Sequence, residues 1–346
     1  MISTQDRTRD DVPAVGATRR VPVAALIPTV ERPGRLRRVF DDLLAQTAQV
    51  DEAVIVDASV SAVTEQLCAS YAPRFEGRLR YVRATTRGAA AQRNQGLTIV
   101  TAPFVLFMDD DVELPSDCIA RLWRLFDRDT ENHWGGVSSM IMNQRYEPPG
   151  RLSRWLFDVI SGESAVSYAG RCIGPAVNLL PEDNPSLPEY VPVEWLNTTC
   201  TLYRRAALPT PAFSGHFDGY SLCEDLDLSL VVGRSWKLAN ARMARIVHNS
   251  GPGPGKPGDA EMARMELVNR HYVMTETLGR SSLRDYAKLA LVETFLLLST
   301  LAMGGGVRRF PARSWGKIRG LVEITGGRMQ RSAHFKGQPE MTERRR

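Results

Sequence analysis

The chain has 346 residues, 43% of them apolar and 24% charged, which fits one large or two ordinary globular domains and excludes a disordered or fibrous chain. Its five cysteines, Cys68, Cys118, Cys172, Cys200 and Cys223, are odd in number and form no C-x-x-C pair, which argues against a disulfide framework or a thiolate zinc site and for a reducing cytoplasm. The formal net charge of +5 is unevenly distributed: residues 304–346 hold eleven Lys/Arg against three Glu, a net of +8, which leaves −3 for the first 303 residues.

Residues 1–20 carry interspersed charges and no apolar stretch of the signal-peptide kind, and are expected to be a leader outside the fold. Residues 21–30 (VPVAALIPTV) form an apolar, β-branched run. Glu-Arg-Pro-Gly follows, and then Leu36, Val39, Phe40, Leu43 and Leu44 fall at helical spacing, so strand, turn and helix are expected. The pattern repeats with a strand over 52–56 ending in Asp57, a helix over 64–72, a strand over 79–83, a helix around 89–100, and a strand over 104–108 that runs into Asp109-Asp110-Asp111. Such alternation predicts an α/β fold with a doubly wound, mainly parallel sheet, whose ligand lies beyond the carboxyl ends of the strands.

Seven prolines within 145–192 predict an irregular, substrate-facing region with one apolar helix at 152–160. Residues 193–203 (VEWLNTTCTLY) read as a strand and 223–234 as a helix, and GPGPGKPG at 251–258 ends the compact body. Helices are expected over 260–278 and 282–303. Residues 289–307 contain one charge, Glu293, close to the roughly 20 residues that span a bilayer. A helix on the membrane surface, a packed helix and a span are all open on this pattern, and the basic-aromatic VRRFPARSWGKIRG beside it suits an anionic surface. A nucleic-acid partner is not expected, because the basic tail lacks interleaved stacking aromatics and a binding module.

Three adjacent carboxylates at a strand end repel each other unless a hard cation or sugar hydroxyls compensate; the alternative is that one caps a helix starting near Ser116 while the others are solvated. Glu224-Asp225 opens a helix, where the dipole favours acids whatever their function. His248 ends a strand-like segment at a place suited to a metal ligand or to a structural role. In RGAAAQRN, Arg93 and Asn94 stand one turn into a helix, able to face an anion or a base, or simply part of an alanine-rich helix.

Taken in order, IPTVERPGRL, VIVDAS, RGAAAQRNQGL, FVLFMDDDVELPSD, WLNTTCTLYRRAAL, GYSLCEDLDLSLVVGRSWKL and VHNSG resemble a family 2 glycosyltransferase of GT-A fold over about residues 21–250. The resemblance implies an inverting, metal-dependent transfer from a nucleotide-sugar donor to an acceptor hydroxyl, sugar or lipid-linked, in cell-envelope, polysaccharide or glycolipid synthesis. It implies that Pro28, Thr29, Arg32 and Asp57 contact the base and ribose, with Arg93 and Asn94 nearby. Asp109 and Asp111 would be the D-x-D pair; Asp109 and Asp110 are assigned to the donor, and Asp111 with His248 to Mg²⁺ or Mn²⁺. Asp225 would be the general base and Glu224 its helper or an acceptor ligand. The second strand ends in DAS where many members have a second acid, and the Q/R-x-x-R-W motif of processive members is missing after Asp225, which points to a single transfer per encounter.

The expected organisation is a leader at 1–20, a GT-A domain at 21–258, a C-terminal helical extension at 259–330 and a basic tail at 331–346. The enzyme is expected in the cytoplasm, peripheral on the inner face of the cell membrane. A nicotinamide-dependent dehydrogenase would need G-x-G-x-x-G where this chain has TVERPGR. A nucleotidyltransferase of related fold and a non-catalytic sugar- or lipid-binding protein are the competing readings.

Overall fold

Along β1 (Arg19–Thr29), Val21, Val23, Ala25 and Ile27 turn to one face and Ala24 and Leu26 to the other, and all six are buried. A strand buried on both faces needs helices on both, and each large apolar side chain so enclosed contributes roughly 1.5–3 kcal/mol. The computed structural model describes residues 19–217, 219–251, 256–302 and 304–326. The expected basic tail and residues 1–18 of the expected leader lie outside the described residues; Arg19 and Arg20, also expected in the leader, begin β1 instead.

In chain order β1 is followed by α1 (Pro33–Leu44), β2 (Ala48–Asp57), α2 (Val63–Tyr71), β3 (Leu79–Arg83), α3 (Ala89–Leu97), β4 (Phe104–Met108), β5 (Val112–Glu113) and α4 (Cys118–Asp127). Then come β6 (Trp134–Ile141), α5 (Arg151–Ser161), the hairpin strands β7 (Cys172–Ile173) and β8 (Val177–Asn178), β9 (Tyr190–Val193), β10 (Cys200–Arg204), α6 (Glu224–Val232) and β11 (Lys237–His248). Three helices complete the described chain: α7 (Asp259–Tyr272), α8 (Leu283–Ser299) and α9 (Gly306–Thr325).

The main sheet has the order β3-β2-β1-β4-β10-β6-β11-β5, with β9 on β11. Strands β1 to β4 pair in parallel, as do β6 and β11, whereas β10 runs antiparallel between β4 and β6. Helices α1, α2 and α4 cover one face; α3 and α6 cover the other, together with Tyr272 of α7.

Several expectations are corrected. Residues 193–203 are not one strand, because residues 194–199 leave the sheet between β9, which pairs with β11, and β10, which pairs with β4 and β6; among them Asn197 Oδ1 accepts from the Thr199 N–H at 3.2 Å. The helix expected near Ser116 begins at Cys118, and no side chain of the acidic triplet caps it. Strand β6, whose WGGVSSMI sequence lacks an apolar run, is buried by its neighbours rather than by its own hydrophobicity. Residues 289–307 are not one helix: α8 ends at Ser299, a 3₁₀ turn runs to Ala302, and Gly305 takes φ of 73° before α9 begins. Gly306 sits so close to this turn that a Cβ would meet the Thr300 carbonyl oxygen at 1.7 Å. Among the described residues no helix is long and apolar enough to cross a membrane.

Helix α9 lies on α7 through small residues, since a Cβ on Gly316 would meet the Ala260 carbonyl oxygen at 2.0 Å and one on Gly320 the Leu267 Cδ2 at 3.2 Å. The seam is flanked by Arg309 on Asp259 (2.6 Å), Arg313 on Glu266 (2.7 Å) and Lys317 on Glu293 (2.5 Å). Gly316→Ala is expected to lower stability by about 1–3 kcal/mol in urea unfolding and to expose residues 304–326 to protease. A variant as stable and as resistant as the parent would contradict this packing.

Candidate active site

The chain runs β1, β2, β3 to one side and returns with β4 on the other side of β1, so a crevice opens where the winding reverses, at the carboxyl ends of β1 and β4. Thr29 ends one strand and Asp109-Asp110-Asp111 follow the other. The three acids are held differently. Asp109 Oδ1 accepts from Arg93 Nη2 at 2.7 Å. Asp110 is buried; its oxygens accept from the Thr29 hydroxyl at 2.6 Å and from Arg32 at 3.1 Å. Asp111 Oδ2 accepts from Arg35 at 2.7 Å and Arg32 at 3.2 Å.

Strand β11 supplies the fourth group. Pairing of His248 with Val112 brings the imidazole beside the triplet, and Asn143 fixes its backbone by donating to the His248 carbonyl at 2.8 Å and accepting from its N–H at 3.1 Å. His248 Nε2 lies 3.1 Å from Asp111 Oδ1 and 3.8 Å from Asp109 Oδ2. One ligating atom from each of Asp109, Asp111 and His248 lies within 4.8 Å of the others. Two carboxylates and an imidazole on a site edged by arginines suit Mg²⁺ or, better, Mn²⁺, which accepts nitrogen more readily. Ligation through Nε2 puts the proton on Nδ1, so the Gln144 amide, 3.4 Å from Nδ1, would then present its oxygen.

Burial raises Asp111, but the His248 hydrogen bond and charge, with Arg32 and Arg35, outweigh it and hold the carboxyl below its usual value. For His248 burial acts downward and is overcome by the Asp111 hydrogen bond and the charges of Asp109 and Asp111, so the imidazole is raised. Asp110 is pushed up to about 6 by burial, against the Thr29 and Arg32 contacts.

The residues expected at the nucleoside are brought to the same end of the sheet, though several spend their polar atoms internally. Pro28 pairs with Val56 at the ends of β1 and β2. Asp57 is fully buried, accepting from the Ser59 N–H (2.9 Å) and hydroxyl and from the Tyr81 hydroxyl at 3.0 Å. Asn94 does not face the acids: its amide both donates to the Phe213 carbonyl (2.8 Å) and accepts from the Phe213 N–H (3.0 Å).

Glu224 and Asp225 open α6, whose cap residue Cys223 takes φ of 72°. Glu224 is buried and accepts from Arg93 Nη1 at 3.1 Å, so Arg93, only 2% exposed, joins the β4 acid to the α6 acid. Burial and the Asp225 charge raise Glu224 to about 8, and burial raises Asp225 to about 6. Asp225 keeps an Oδ1 contact with the Leu226 N–H at 2.7 Å and lines a cavity of about 430 Å³ whose other walls include Trp195, Arg270, Arg309 and Arg313. Sequence reasoning missed Arg35, Gln144 and these three arginines. Only Arg35 carries a local signal, one helical turn after Arg32.

Residues 24–166 match the model of the Glycosyl transferase family 2. Glycosyltransferase GlyA of Streptococcus pneumoniae is 24% identical over 102 residues, 30% of this chain but only 14% of that protein's length. The mannosyltransferase PcManGT from Pyrobaculum calidifontis, solved in complex with GDP-Man and Mn²⁺, superposes with a TM-score of 0.53 at 15% identity, covering 91% of each chain. Glucosyl-3-phosphoglycerate synthase from Mycobacterium tuberculosis, solved with phosphoglyceric acid, gives a TM-score of 0.45 at 14% identity over 75% of this chain and 81% of that one. The segment that matches the family model, less than half of the chain, spans the winding reversal, and the architecture as a whole is the GT-A fold shared with that mannosyltransferase.

Proposed function

We propose that this protein moves a sugar from a nucleotide-sugar to an acceptor hydroxyl in one displacement that inverts the anomeric carbon, as a step in building a cell-envelope glycan or glycolipid. The observation that carries this reading is the arrangement of two acidic centres joined by one buried guanidinium: Asp109, Asp111 and His248 at the sheet crevice, and Asp225 facing a separate cavity. Pro28, Thr29, Arg32 and Asp57 shape the pocket for base and ribose, with Asp109 and Asp110 on the donor. Asp111 and His248, with Asp109, would hold Mg²⁺ or Mn²⁺, which when bound offsets the charge growing on the nucleoside diphosphate.

Asp225 takes the acceptor proton. The cavity side of α6 is where an acceptor would stand, and a carboxyl raised to about 6 is a stronger base than a free one while still ionised near neutrality. Glu224, turned to Arg93, is a positioning group that keeps its neighbour's backbone in place. Arg93 has the same kind of role between the two centres, and Asn94 supports it through Phe213.

Asp225→Asn is expected to lower kcat by about 10²–10⁴-fold with nucleotide affinity unchanged. In the parent, kcat/KM should rise with pH through about 6, since the base acts as the carboxylate and is lost on protonation. Near-parental turnover would overturn the assignment. Asp111→Ala should abolish the Mn²⁺-dependent part of nucleotide binding in calorimetry, and an unchanged affinity would contradict the metal role. Arg93→Met should destabilise the fold by on the order of 3 kcal/mol by leaving Asp109 and Glu224 without their shared buried partner. The deficit should appear in urea denaturation, and a variant as stable as the parent would contradict the shared-cation role. Release of nucleoside diphosphate rather than pyrophosphate from the donor separates this reading from nucleotidyl transfer.

A further inference from the structure

Helix α9 has two unlike sides. Gly316, Lys317 and Gly320 are buried against α7, and the close Ala260 and Leu267 contacts prevent the helix from rolling. On the other side Val307, Trp315, Ile318, Leu321 and Val322 are 54–74% exposed. Val307, Trp315, Ile318 and Val322 recur at intervals of eight, three and four, so they form one stripe along the helix. Leu298 and Leu301, at the turn that joins α8 to α9, are also exposed. Water gains nothing from a stripe of this kind, and a patch so placed on a fixed helix marks a contact surface.

The charges show what it contacts. Of five Lys/Arg in α9, Arg309, Arg313, Lys317 and Arg319 pair with Asp259, Glu266, Glu293 and Glu261, while Arg308 is exposed beside the stripe. Residues 327–346 add six Lys/Arg against two Glu. A second copy would bring like charges together, whereas an anionic headgroup layer with acyl chains beneath it complements both the cations and the apolar side chains.

We propose that α9, with the α8–α9 turn, is an amphipathic docking face that lies in the surface of an anionic lipid bilayer. The same two helices wall the Asp225 cavity, through Leu296, Ser299 and Thr300 from α8 and its turn and Arg309 and Arg313 from α9. Docking therefore sets that cavity beside the bilayer, so the acceptor hydroxyl belongs to a lipid or to a glycan carried on one. This placement of the acceptor rests on the glycosyl-transfer reading above; the docking itself does not.

The test is co-sedimentation of the full chain with phosphatidylcholine vesicles, with and without phosphatidylglycerol, beside Mn²⁺-dependent hydrolysis of a nucleotide-sugar in the absence of lipid. The parent should bind the anionic vesicles and bind pure phosphatidylcholine weakly. Trp315→Glu with Ile318→Glu should reduce partitioning about tenfold or more, with hydrolysis and melting temperature unchanged, and Trp315→Phe should retain binding. If that pair fails to fold, Leu321→Glu with Val322→Glu, one turn on, makes the same measurement. Parental vesicle binding by a folded variant overturns the proposal. So does a parent that ignores anionic vesicles but forms a dimer in light scattering that the same substitutions break. Vesicle binding without any hydrolysis would overturn the transfer reading alone and leave the docking face standing.

Discussion

Five acidic side chains, Asp109, Asp110 and Asp111 at the crevice and Glu224 and Asp225 at the start of α6, form two neighbouring centres joined through Arg93, and their burial has to be met by fixed positive charge. Burying a carboxylate without a partner costs several kcal/mol, so the partners are structural requirements. They come from two helices: Arg32 and Arg35 from the start of α1, and Arg93 from α3. The acids therefore determine where those helices start relative to the strand ends. Gln92 adds to this by donating to the Thr29 carbonyl at 3.0 Å and the Val56 carbonyl at 2.7 Å, which pins the tips of β1 and β2 together under the cluster.

Much of this was legible in the chain itself. Strands at 79–83 and 104–108 coincide with the observed β3 and β4, because each is a short apolar run whose burial needs no distant explanation. The acidic triplet, the Glu-Asp pair and His248 stand out because a polar group at the end of a buried strand or at the start of a helix has few reasons to be there. Strand β6 was illegible for the opposite reason: at Gly135 and Gly136, Trp236, Leu196 and Tyr203 crowd the space a side chain would occupy. Arg35, Gln144 and the cavity arginines acquire meaning from partners 76 to 214 residues away or from another helix's packing, and no local pattern encodes that.

The C-terminal helices show how a hydropathy count can mislead in two directions. Nineteen nearly uncharged residues resembled a span, yet glycine geometry breaks them into a helix, a turn and the start of another helix. The single charge among them, Glu293, is the anchor of the extension: buried, it accepts from Arg270 at 2.8 Å and faces Lys317 at 2.5 Å, so it joins α7, α8 and α9 at one point. Conversely, the basic count of α9 overstates the charge available outside, since Arg309, Arg313, Lys317 and Arg319 are held in ion pairs.

The guanidinium shared by Asp109 and Glu224 has a consequence for how this protein is dissected. Two acids 115 positions apart, one on each centre, draw on the same buried cation at 2.7 and 3.1 Å. Removing either acid frees half of Arg93 for the other, so single replacements will not sum to the double replacement. A loss measured at Asp109 contains part of the energy that orders α6, and a loss at Glu224 contains part of the energy that orders the β4 end. Only a cycle through both positions separates what each acid does for its own centre from what it does for the other.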